Sequence, residues 1–312
     1  MSEQLASISE RLHSLSVRLR RSVHFVPGAN EKMLQKALTT AADSLVLDLE
    51  DAVTPERKDI TREAVAGWLR DVDFAGQERS VRMNPLDTPW GLADLEATME
   101  YPPDVYMVPK VSTLAELQTI DARLTLLERD FDHPPGGVGL ILVSTETPLG
   151  VLNLPTFTQC KRVIALSWGA EDLSAALGAP RNRFDDNTFL DLYRHCRTQT
   201  LLCAAAGDVQ PLDTVFVDIA DERGLERECK EAAWMGYTGK ITIHPNQIDV
   251  VNAAFTPTEA EVDESKRLIS EFAEAQAQGR MAIRFEGKMV DVPHLTRARK
   301  LVARAHEIRT KK

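Results

Sequence analysis

Short apolar runs rich in Val, Ile and Leu alternate with helical patterns through most of the chain, and this alternation limits the possible folds more than any other feature. The eight runs are SVHFV (22–26), SLVLDLE (44–50), RSVRMN (79–84), VYMVPK (105–110), VGLILVSTE (138–146), VIALSWGAE (163–171), TVFVDIA (214–220) and KITIH (240–244). Nearly continuous apolar runs are typical of parallel strands buried on both faces. Eight such strands separated by helices predict an α/β fold, the (β/α)8 TIM barrel. An open doubly wound sheet is the alternative, and it is weakened because no GxGxxG motif follows the first strand.

The pattern changes after about residue 256. A helix over 258–278, a short run over 281–286, a turn at Gly287 and a helix over 293–308 are predicted there. This is more chain than a barrel needs to close. We therefore predict a TIM-barrel catalytic domain over residues 21–256 and a C-terminal lid or arm over residues 257–312.

Residues 1–20 show Leu and Ile at spacings of three and four, which predicts an amphipathic surface helix leading into the first strand. The Arg and Ser residues of this segment also suggest a transit peptide. Glu3 and Glu10 argue against that alternative, because transit peptides avoid acidic residues.

Charge and composition limit the class of protein. The 312 residues include 37 basic and 47 acidic side chains, a net charge of −10. We therefore expect no nucleic-acid partner, since such proteins carry a basic surface. No stretch approaches the ~18 uninterrupted apolar residues of a transmembrane helix, so we expect no membrane partner. The four cysteines lack CxxC spacing, which favours reduced thiols in a cytoplasmic protein over a zinc site or disulfides.

Polar side chains stand where most of the predicted strands end. In a parallel barrel the carboxyl ends of the strands and the loops after them build the active site. The residues in question are Asp48, Glu50, Asp51, Arg82, Asn84, Lys110, Glu146, Glu171, Asp172, Asp218 and His244. Their convergence on one rim predicts a concave polar site of mixed charge.

Two of these carboxylates, Glu146 and Asp172, end adjacent strands and are candidate ligands of a hard cation. Mg²⁺ prefers a few carboxylates and leaves positions for water and substrate oxygens. The alternative is that each carboxylate caps a helix N-terminus. Glu50 and Asp51 are expected to orient Arg82 or a water on the metal, or to form a salt bridge with a neighbouring Arg or Lys.

The basic residues of the rim suit anionic groups. Arg82 presents a planar fork to an acidic site, which suits a substrate carboxylate, although an ion pair with Glu50 or Asp51 is an equal alternative. Lys32 and Lys36 lie four residues apart and share a helix face near the predicted barrel mouth. They suit phosphates, but ordinary solvation is favoured on spacing alone. Lys110 is expected either in the rim or on the surface. His244 could serve as a base or ligand, but a structural hydrogen bond is favoured for it.

Several segments, taken in order along the chain, resemble those of a known family. They are RSVHFVPG (21–28), LDLEDAV (47–53), VRMN (81–84), MVPKV (107–111), STETPLG (144–150), SWGAEDL (167–173), ITIHPNQ (241–247) and GKMVDVPHL (287–295). The chain thereby resembles the HpcH/HpaI aldolase and citrate lyase β-subunit family, specifically its acyl-CoA lyase branch. The resemblance implies a (β/α)8 barrel, Mg²⁺ and the cleavage or formation of a carbon–carbon bond.

The resemblance also implies roles for individual residues. Glu146 and Asp172 match the metal ligands, and Arg82 matches the carboxylate-binding arginine. Phe25, Lys32 and Lys36 match positions that contact CoA, and Asn246 and Gln247 lie in a segment on the thioester side. Asp291 matches the catalytic aspartate of a C-terminal lid that reaches into a neighbouring subunit. His24 departs from the family, which more often has an apolar residue there.

The function that this resemblance implies is a Mg²⁺-dependent lyase that splits a 3-hydroxyacyl-CoA into an acyl-CoA and a 2-oxo acid, or joins them. Malyl-CoA, β-methylmalyl-CoA and citramalyl-CoA are the expected substrates, and a homotrimer with exchanged lids is the expected assembly. The alternatives are a malyl-CoA thioesterase, a citryl lyase like the citrate lyase β subunit, and a catalytically silent barrel that serves as a scaffold subunit.

Overall fold

The computed structural model describes residues 12–28 and 30–310. Contacts divide the chain into two units, Met1–Asn252 and Ala253–Lys312. The chain is helical over 12–16, whereas residues 1–11 of the predicted N-terminal helix lie outside the described part. None of the helices in the described ranges is both long and apolar enough to cross a membrane. All four cysteines are free thiols, as predicted.

The first unit contains a closed barrel of eight strands that pair in chain order. The strands are β1 (Ser22–Pro27), β2 (Ser44–Asp48), β3 (Glu78–Arg82), β4 (Val105–Val108), β5 (Gly139–Val143), β6 (Val163–Ser167), β7 (Gln210–Asp213) and β8 (Gly239–Thr242). All eight pairings are parallel, and β1 pairs with β8 to close the sheet. The predicted α/β TIM-barrel fold is therefore confirmed.

Helices follow the strands around the barrel. They are α1 (Glu31–Leu38), α2 (Lys58–Asp71), α3 (Gly91–Thr98), α4 (Leu114–Asp130), α5 (Pro148–Asn153), α6 (Glu171–Leu177), α7 (Asp191–Ala206), α8 (Glu222–Met235) and α9 (Gln247–Ala254). Short 3₁₀ turns occupy Pro55–Arg57 and Leu154–Gln159. The buried strand residues divide between the barrel interior, where Val46 and Ile141 pack, and the layer beneath the helices, where Leu45 and Leu140 pack.

The amino-terminal end of the barrel is filled by protein. A Cβ on Gly239 would lie 1.8 Å from the carbonyl oxygen of Arg20, so only glycine fits at the start of β8. The Arg20 side chain is buried and donates to both carboxylate oxygens of Glu78, at 2.8 and 2.6 Å. Leu12 packs into the apolar cluster of the barrel interior. The opposite end, where the strands finish, is left for the functional site.

The seventh strand lies four residues earlier than the sequence predicted. Residues 214–220 are rich in apolar side chains but form a loop, whereas QPLD (210–213) forms β7. Pro211 makes that segment a poor strand by sequence because proline lacks an N–H. Its carbonyl oxygen nevertheless accepts from Thr238 N at 3.0 Å. Asp213 at the end of β7 is buried and accepts from Lys240 at 2.9 Å, and Asp218 is exposed in the loop rather than at a strand end.

The second unit contains a helix, a β-hairpin and a final helix. These are α10 (Glu259–Ala277), β9 (Ala282–Phe285), β10 (Lys288–Asp291) and α11 (Val292–Thr310). Glu286 and Gly287 both have positive φ, as a tight two-residue hairpin turn requires. Leu268, Phe285 and Val290 pack together in a small core. Sequence reasoning identified the two helices and the turn but did not predict β10.

Candidate active site

A cavity of about 500 Å³ lies at the carboxyl ends of the barrel strands. Several residues predicted for the site line it: Phe25, Lys36, Asp51, Arg82, Glu146 and Asp172. Apolar side chains such as Val143 and Ile241 complete the wall. Side chains from distant parts of the sequence thus meet where the strands finish, as expected for a barrel enzyme.

Arg82, the last residue of β3, is held by acidic side chains of β2 and the loop after it. Its Nε and Nη2 donate to the two carboxylate oxygens of Asp48 at 2.7 and 2.6 Å, and its Nη1 lies 2.8 Å from Glu50 Oε2. The Phe25 ring centroid lies 4.5 Å from the guanidinium carbon. Burial disfavours the charge, but Asp48 and Glu50 outweigh it and raise the pKa of Arg82. Arg82 therefore stays cationic and fixed in orientation.

Lys110 follows β4 and contacts four acidic side chains. Its ammonium donates to Glu50, lies 3.1 Å from Asp51 Oδ1 and lies 3.2 Å from Asp172 Oδ1. Its backbone N donates to Glu146 Oε2 at 2.6 Å. Burial opposes the charge, but the contacts with Glu50 prevail and raise the pKa of Lys110. The open question about Lys110 is thus answered, because it lies in the acidic rim.

Glu146 is a buried carboxylate with an unfavourable environment for its negative charge. Burial and the nearby charge of Asp172 raise its pKa to about 8. Gly169 faces it, and a Cβ at that position would lie 2.6 Å from Glu146 Cγ. The sequence therefore places a residue without a side chain beside Glu146, whose negative charge is disfavoured by burial and by Asp172.

This pair of carboxylates fits a hard divalent cation. In the described part of the chain no group of three or more His, Cys, Asp or Glu is arranged to hold a metal ion. Mg²⁺ does not require one, because it binds through one or two carboxylates and completes its shell with water and substrate oxygens. Burial and the charge of Asp172 both raise the pKa of Glu146, and a bound cation would offset both effects. Glu50 and Asp51 form ion pairs with Arg82 and Lys110, which is the salt-bridge alternative left open for them.

The remaining residues predicted for substrate binding lie near the cavity in the chain but do not line it. Lys32 is exposed on α1, one turn before Lys36. Asn246 is exposed, and Gln247 is buried with its amide bonded to Ile243 N at 2.9 Å and to the Phe216 carbonyl at 2.8 Å. Gln247 thus holds the turn after β8.

Asp291 ends β10 in the second unit. Its side chain is 42% exposed, and its Oδ1 lies 2.6 Å from Nδ1 of His294. His294 lies in the first turn of α11. An acidic group on an exposed hairpin, paired with an imidazole, is chemically suited to proton transfer.

Sequence reasoning named Asp48 as a rim residue but gave it no role, and it misplaced Asn84. Val46 faces the barrel interior, so Asp48 two residues later faces the same way, and this period of two could have identified it. Asn84 was predicted at the rim, but it is buried and bonded to Lys58 and Asp94 at 2.6 and 2.7 Å. These contacts with α2 and α3 hold the Asn84 side chain, which does not line the cavity.

His24 lines the cavity from β1 and is buried. Its Nδ1 lies 3.0 Å from Thr242 Oγ1 on β8. Burial, with a smaller contribution from the charge of His244, lowers its pKa to about 4 from 6.5. The imidazole is therefore neutral at physiological pH in the folded protein.

Stability should consequently fall as the pH decreases from about 6.5 to 4. In that range the unfolded chain binds a proton at His24 and the folded protein does not, so acid favours unfolding. The total effect is about 3 kcal/mol. We expect the variant His24→Gln to lose this part of the pH dependence, which urea unfolding at several pH values measures. Parallel curves for the two proteins would contradict the assignment.

Sequence comparison identifies relatives that match almost the whole chain. The β subunit of citrate lyase from Escherichia coli (strain K12) is 35% identical over 299 residues, covering 96% of this chain and 97% of that protein. A (3S)-malyl-CoA thioesterase from Cereibacter sphaeroides is 36% identical over 288 residues, covering 92% and 95%. The mitochondrial citramalyl-CoA lyase of Rattus norvegicus is 35% identical over 307 residues, covering 94% and 88%.

Solved structures share the fold. The crystal structure of the protein CitE from Mycobacterium tuberculosis, in complex with magnesium, acetoacetate and coenzyme A, superimposes with a TM-score of 0.75 at 31% identity. The match covers 92% of this chain and 98% of that one. A family model described as HpcH/HpaI aldolase/citrate lyase matches residues 21–245. With these matches and the barrel that carries its polar residues at one rim, the chain belongs to the HpcH/HpaI aldolase/citrate lyase family and is a lyase.

Proposed function

We propose that the protein is a Mg²⁺-dependent carbon–carbon lyase that cleaves or forms a 3-hydroxyacyl-CoA. The products of cleavage are an acyl-CoA and a 2-oxo acid, with malyl-CoA, β-methylmalyl-CoA and citramalyl-CoA as candidate substrates. The observation that carries the proposal is the meeting of Glu146, Asp172 and Arg82 at one cavity. A citramalyl-CoA lyase among the relatives and bound magnesium and coenzyme A in a structural neighbour support it.

Glu146 and Asp172 would hold the metal ion. When bound, Mg²⁺ supplies Lewis-acid stabilisation of negative charge on the oxygen of the 2-oxo acid. Glu50 and Asp51 position Arg82 and Lys110 beside that site, since both carboxylates contact both cations. The cavity thereby combines metal-ligand carboxylates with fixed positive charges.

Arg82 would bind the carboxylate of the 2-oxo acid. Asp48 fixes the guanidinium on its Nε and Nη2 edge, and Phe25 covers one face. Asp48 engages the Nε and Nη2 edge and Glu50 contacts Nη1, so a substrate oxygen would bind the Nη1 hydrogen that is not directed at Glu50. Arg82 would therefore orient the oxo acid before the bond breaks, which is the larger part of what a positioning group contributes.

Asp291 would act as the acid and base at carbon. In cleavage the substrate hydroxyl would lose its proton to solvent, and its oxygen would become the carbonyl of the 2-oxo acid as the carbon–carbon bond breaks. The electron pair of that bond would pass to the α-carbon of the thioester, which would take a proton from the protonated Asp291 carboxyl group. In the condensing direction Asp291 removes the same proton. This role rests on the motif match of GKMVDVPHL and on the exposed position of Asp291 at the end of a hairpin.

CoA would bind at the mouth of the cavity. Lys36 lines it and Lys32 lies one turn away on the same helix, so two ammonium groups are available to CoA phosphates. Phe25 and the 243–247 turn held by Gln247 bound the same opening. We further propose a homotrimer in which the C-terminal unit of one subunit serves the cavity of its neighbour.

Two other activities are favoured by particular relatives. A thioesterase would release CoA by delivering water to the thioester, and a (3S)-malyl-CoA thioesterase is 36% identical. A citryl lyase would act like the citrate lyase β subunit. The presence of the proposed C-terminal lid does not decide whether the substrate is a free acyl-CoA or an acyl group bound to a carrier. The match covers 97% of the Escherichia coli β subunit as well.

Product analysis by mass spectrometry tests the proposal. With Mg²⁺ present, the lyase is expected to convert citramalyl-CoA to acetyl-CoA and pyruvate, or malyl-CoA to acetyl-CoA and glyoxylate. A chelator should stop the reaction, and added Mg²⁺ should restore it. Free CoA with malate and no acetyl-CoA would assign the thioesterase instead, and the absence of both turnover and Mg²⁺ binding would assign a scaffold.

A further inference from the structure

The acidic rim contains more negative than positive charge. Five carboxylates belong to Asp48, Glu50, Asp51, Glu146 and Asp172, and within the part of the chain that the structure describes the cationic residues that contact them are Arg82 and Lys110. Arg82 is committed to Asp48 and Glu50. Among the described residues, Lys110 provides the only ion pair with Asp172, at 3.2 Å.

Lys110 also joins the two proposed metal ligands. Its backbone N–H donates to Glu146 Oε2 at 2.6 Å, and its ammonium lies 3.2 Å from Asp172 Oδ1. The side chain is 27% exposed, so this ion pair is only partly screened by solvent. A single residue therefore holds both carboxylates by two different groups.

The backbone of Lys110 adopts a conformation that an ordinary side chain avoids. Its φ is +53°, in the left-handed region. Such a conformation costs free energy and persists only where the surroundings impose it. Here the hydrogen bond to Glu146 and the ion pairs of the ammonium supply that constraint.

From this geometry we propose that Lys110 is the resident counter-cation of the metal site. Without metal, its ammonium neutralises the acidic rim and occupies Asp172. A divalent cation must displace the ammonium from Asp172, and Lys110 then stays with Glu50 and Asp51. This inference rests on the proposed function, because it takes Glu146 and Asp172 as the metal ligands. On this proposal, Mg²⁺ and the Lys110 ammonium compete for Asp172, and this competition sets the Mg²⁺ affinity.

The variant Lys110→Met tests the competition, with Mg²⁺ binding measured by calorimetry on the full chain without CoA. Removing the competing charge is expected to tighten Mg²⁺ binding about tenfold. Lys110→Arg retains the charge and should bind Mg²⁺ like the native protein. Lys36→Met removes a cation of the same cavity that makes no ion pair with these carboxylates in the described structure, and it should leave the affinity unchanged.

Thermal melting gives a second measurement. In EDTA, Lys110→Met should melt below the native protein because its carboxylates repel one another, and Mg²⁺ should raise its Tm by more than it raises the native Tm. The variant Lys110→Asn, whose side chain tolerates positive φ, repeats the test if Met does not fold.

Unchanged or weaker Mg²⁺ binding in both neutral variants would overturn the counter-cation role while leaving the proposed metal site standing. A native protein that binds no Mg²⁺ at all would instead reject the proposed function. The two failures are therefore distinguishable.

Discussion

Replacing Asp291 with Asn is expected to lower kcat by about 10²- to 10⁴-fold, the usual contribution of a positioned acid or base. The amide has nearly the same shape and can still contact His294, which lies 2.6 Å from the carboxylate in the native protein. It cannot exchange a proton with carbon at neutral pH. Steady-state kinetics of citramalyl-CoA or malyl-CoA cleavage measure the effect.

The matched control is Asp263→Asn, which removes an exposed carboxylate from α10 in the same unit. It should leave kcat unchanged. Both variants should bind Mg²⁺ as the native protein does, because the proposed ligands belong to the barrel. Native kinetics in Asp291→Asn would remove Asp291 from the mechanism.

Mixing two inactive variants tests whether subunits share an active site. Asp291→Asn keeps the proposed metal ligands, and Glu146→Gln keeps Asp291. If the lid serves a neighbouring subunit, mixed oligomers contain some sites with both groups intact, and activity returns after subunit exchange. If each chain completes its own site, the mixture stays inactive.

The barrel could be predicted from the sequence because its signals are local. Several strands are apolar runs, such as GLILV in β5, and polar residues at or shortly after the strand ends mark the rim, as Arg82 and Glu146 do. β7 was misplaced because its stability comes from elsewhere in the chain. Asp213 is buried against Lys240 and Arg197, which lie on β8 and α7, and no local pattern in QPLD reports such contacts.

The candidate site could likewise be predicted only where the signal is local. Residue types and strand ends identified Arg82, Glu146 and Asp172, which line one cavity. The partners of each group depend on geometry across strands: Asp48 on β2 takes the fork of Arg82 on β3, and Lys110 reaches Asp172 from a loop two strands away. Sequence left both pairings open, because several acidic residues compete for each cation.

Replacing Glu146 with Gln should abolish Mg²⁺ binding and turnover while making the metal-free protein more stable. The carboxylate is a proposed metal ligand, and its loss is expected to weaken Mg²⁺ binding by more than about 100-fold, since even residues that only support a ligand contribute 10- to 100-fold. The same carboxylate is buried beside Asp172, where burial and repulsion raise its pKa. A neutral amide can still accept the hydrogen bond from Lys110 N and removes the repulsion, a gain of about 1–2 kcal/mol.

Calorimetry with Mg²⁺ and thermal melting in EDTA measure the two effects on one preparation. Glu171→Gln is the matched control, because Glu171 lines the same cavity but is exposed and bonded to Asn182 at 2.8 Å. It should change neither Mg²⁺ affinity nor Tm. A Glu146→Gln protein that binds Mg²⁺ normally would remove Glu146 from the metal site. A Glu146→Gln protein that loses Mg²⁺ binding and also has a lower Tm in EDTA would show that the carboxylate stabilises the fold. A carboxylate that is retained for function at the expense of stability should instead give a higher Tm when it is replaced by the amide.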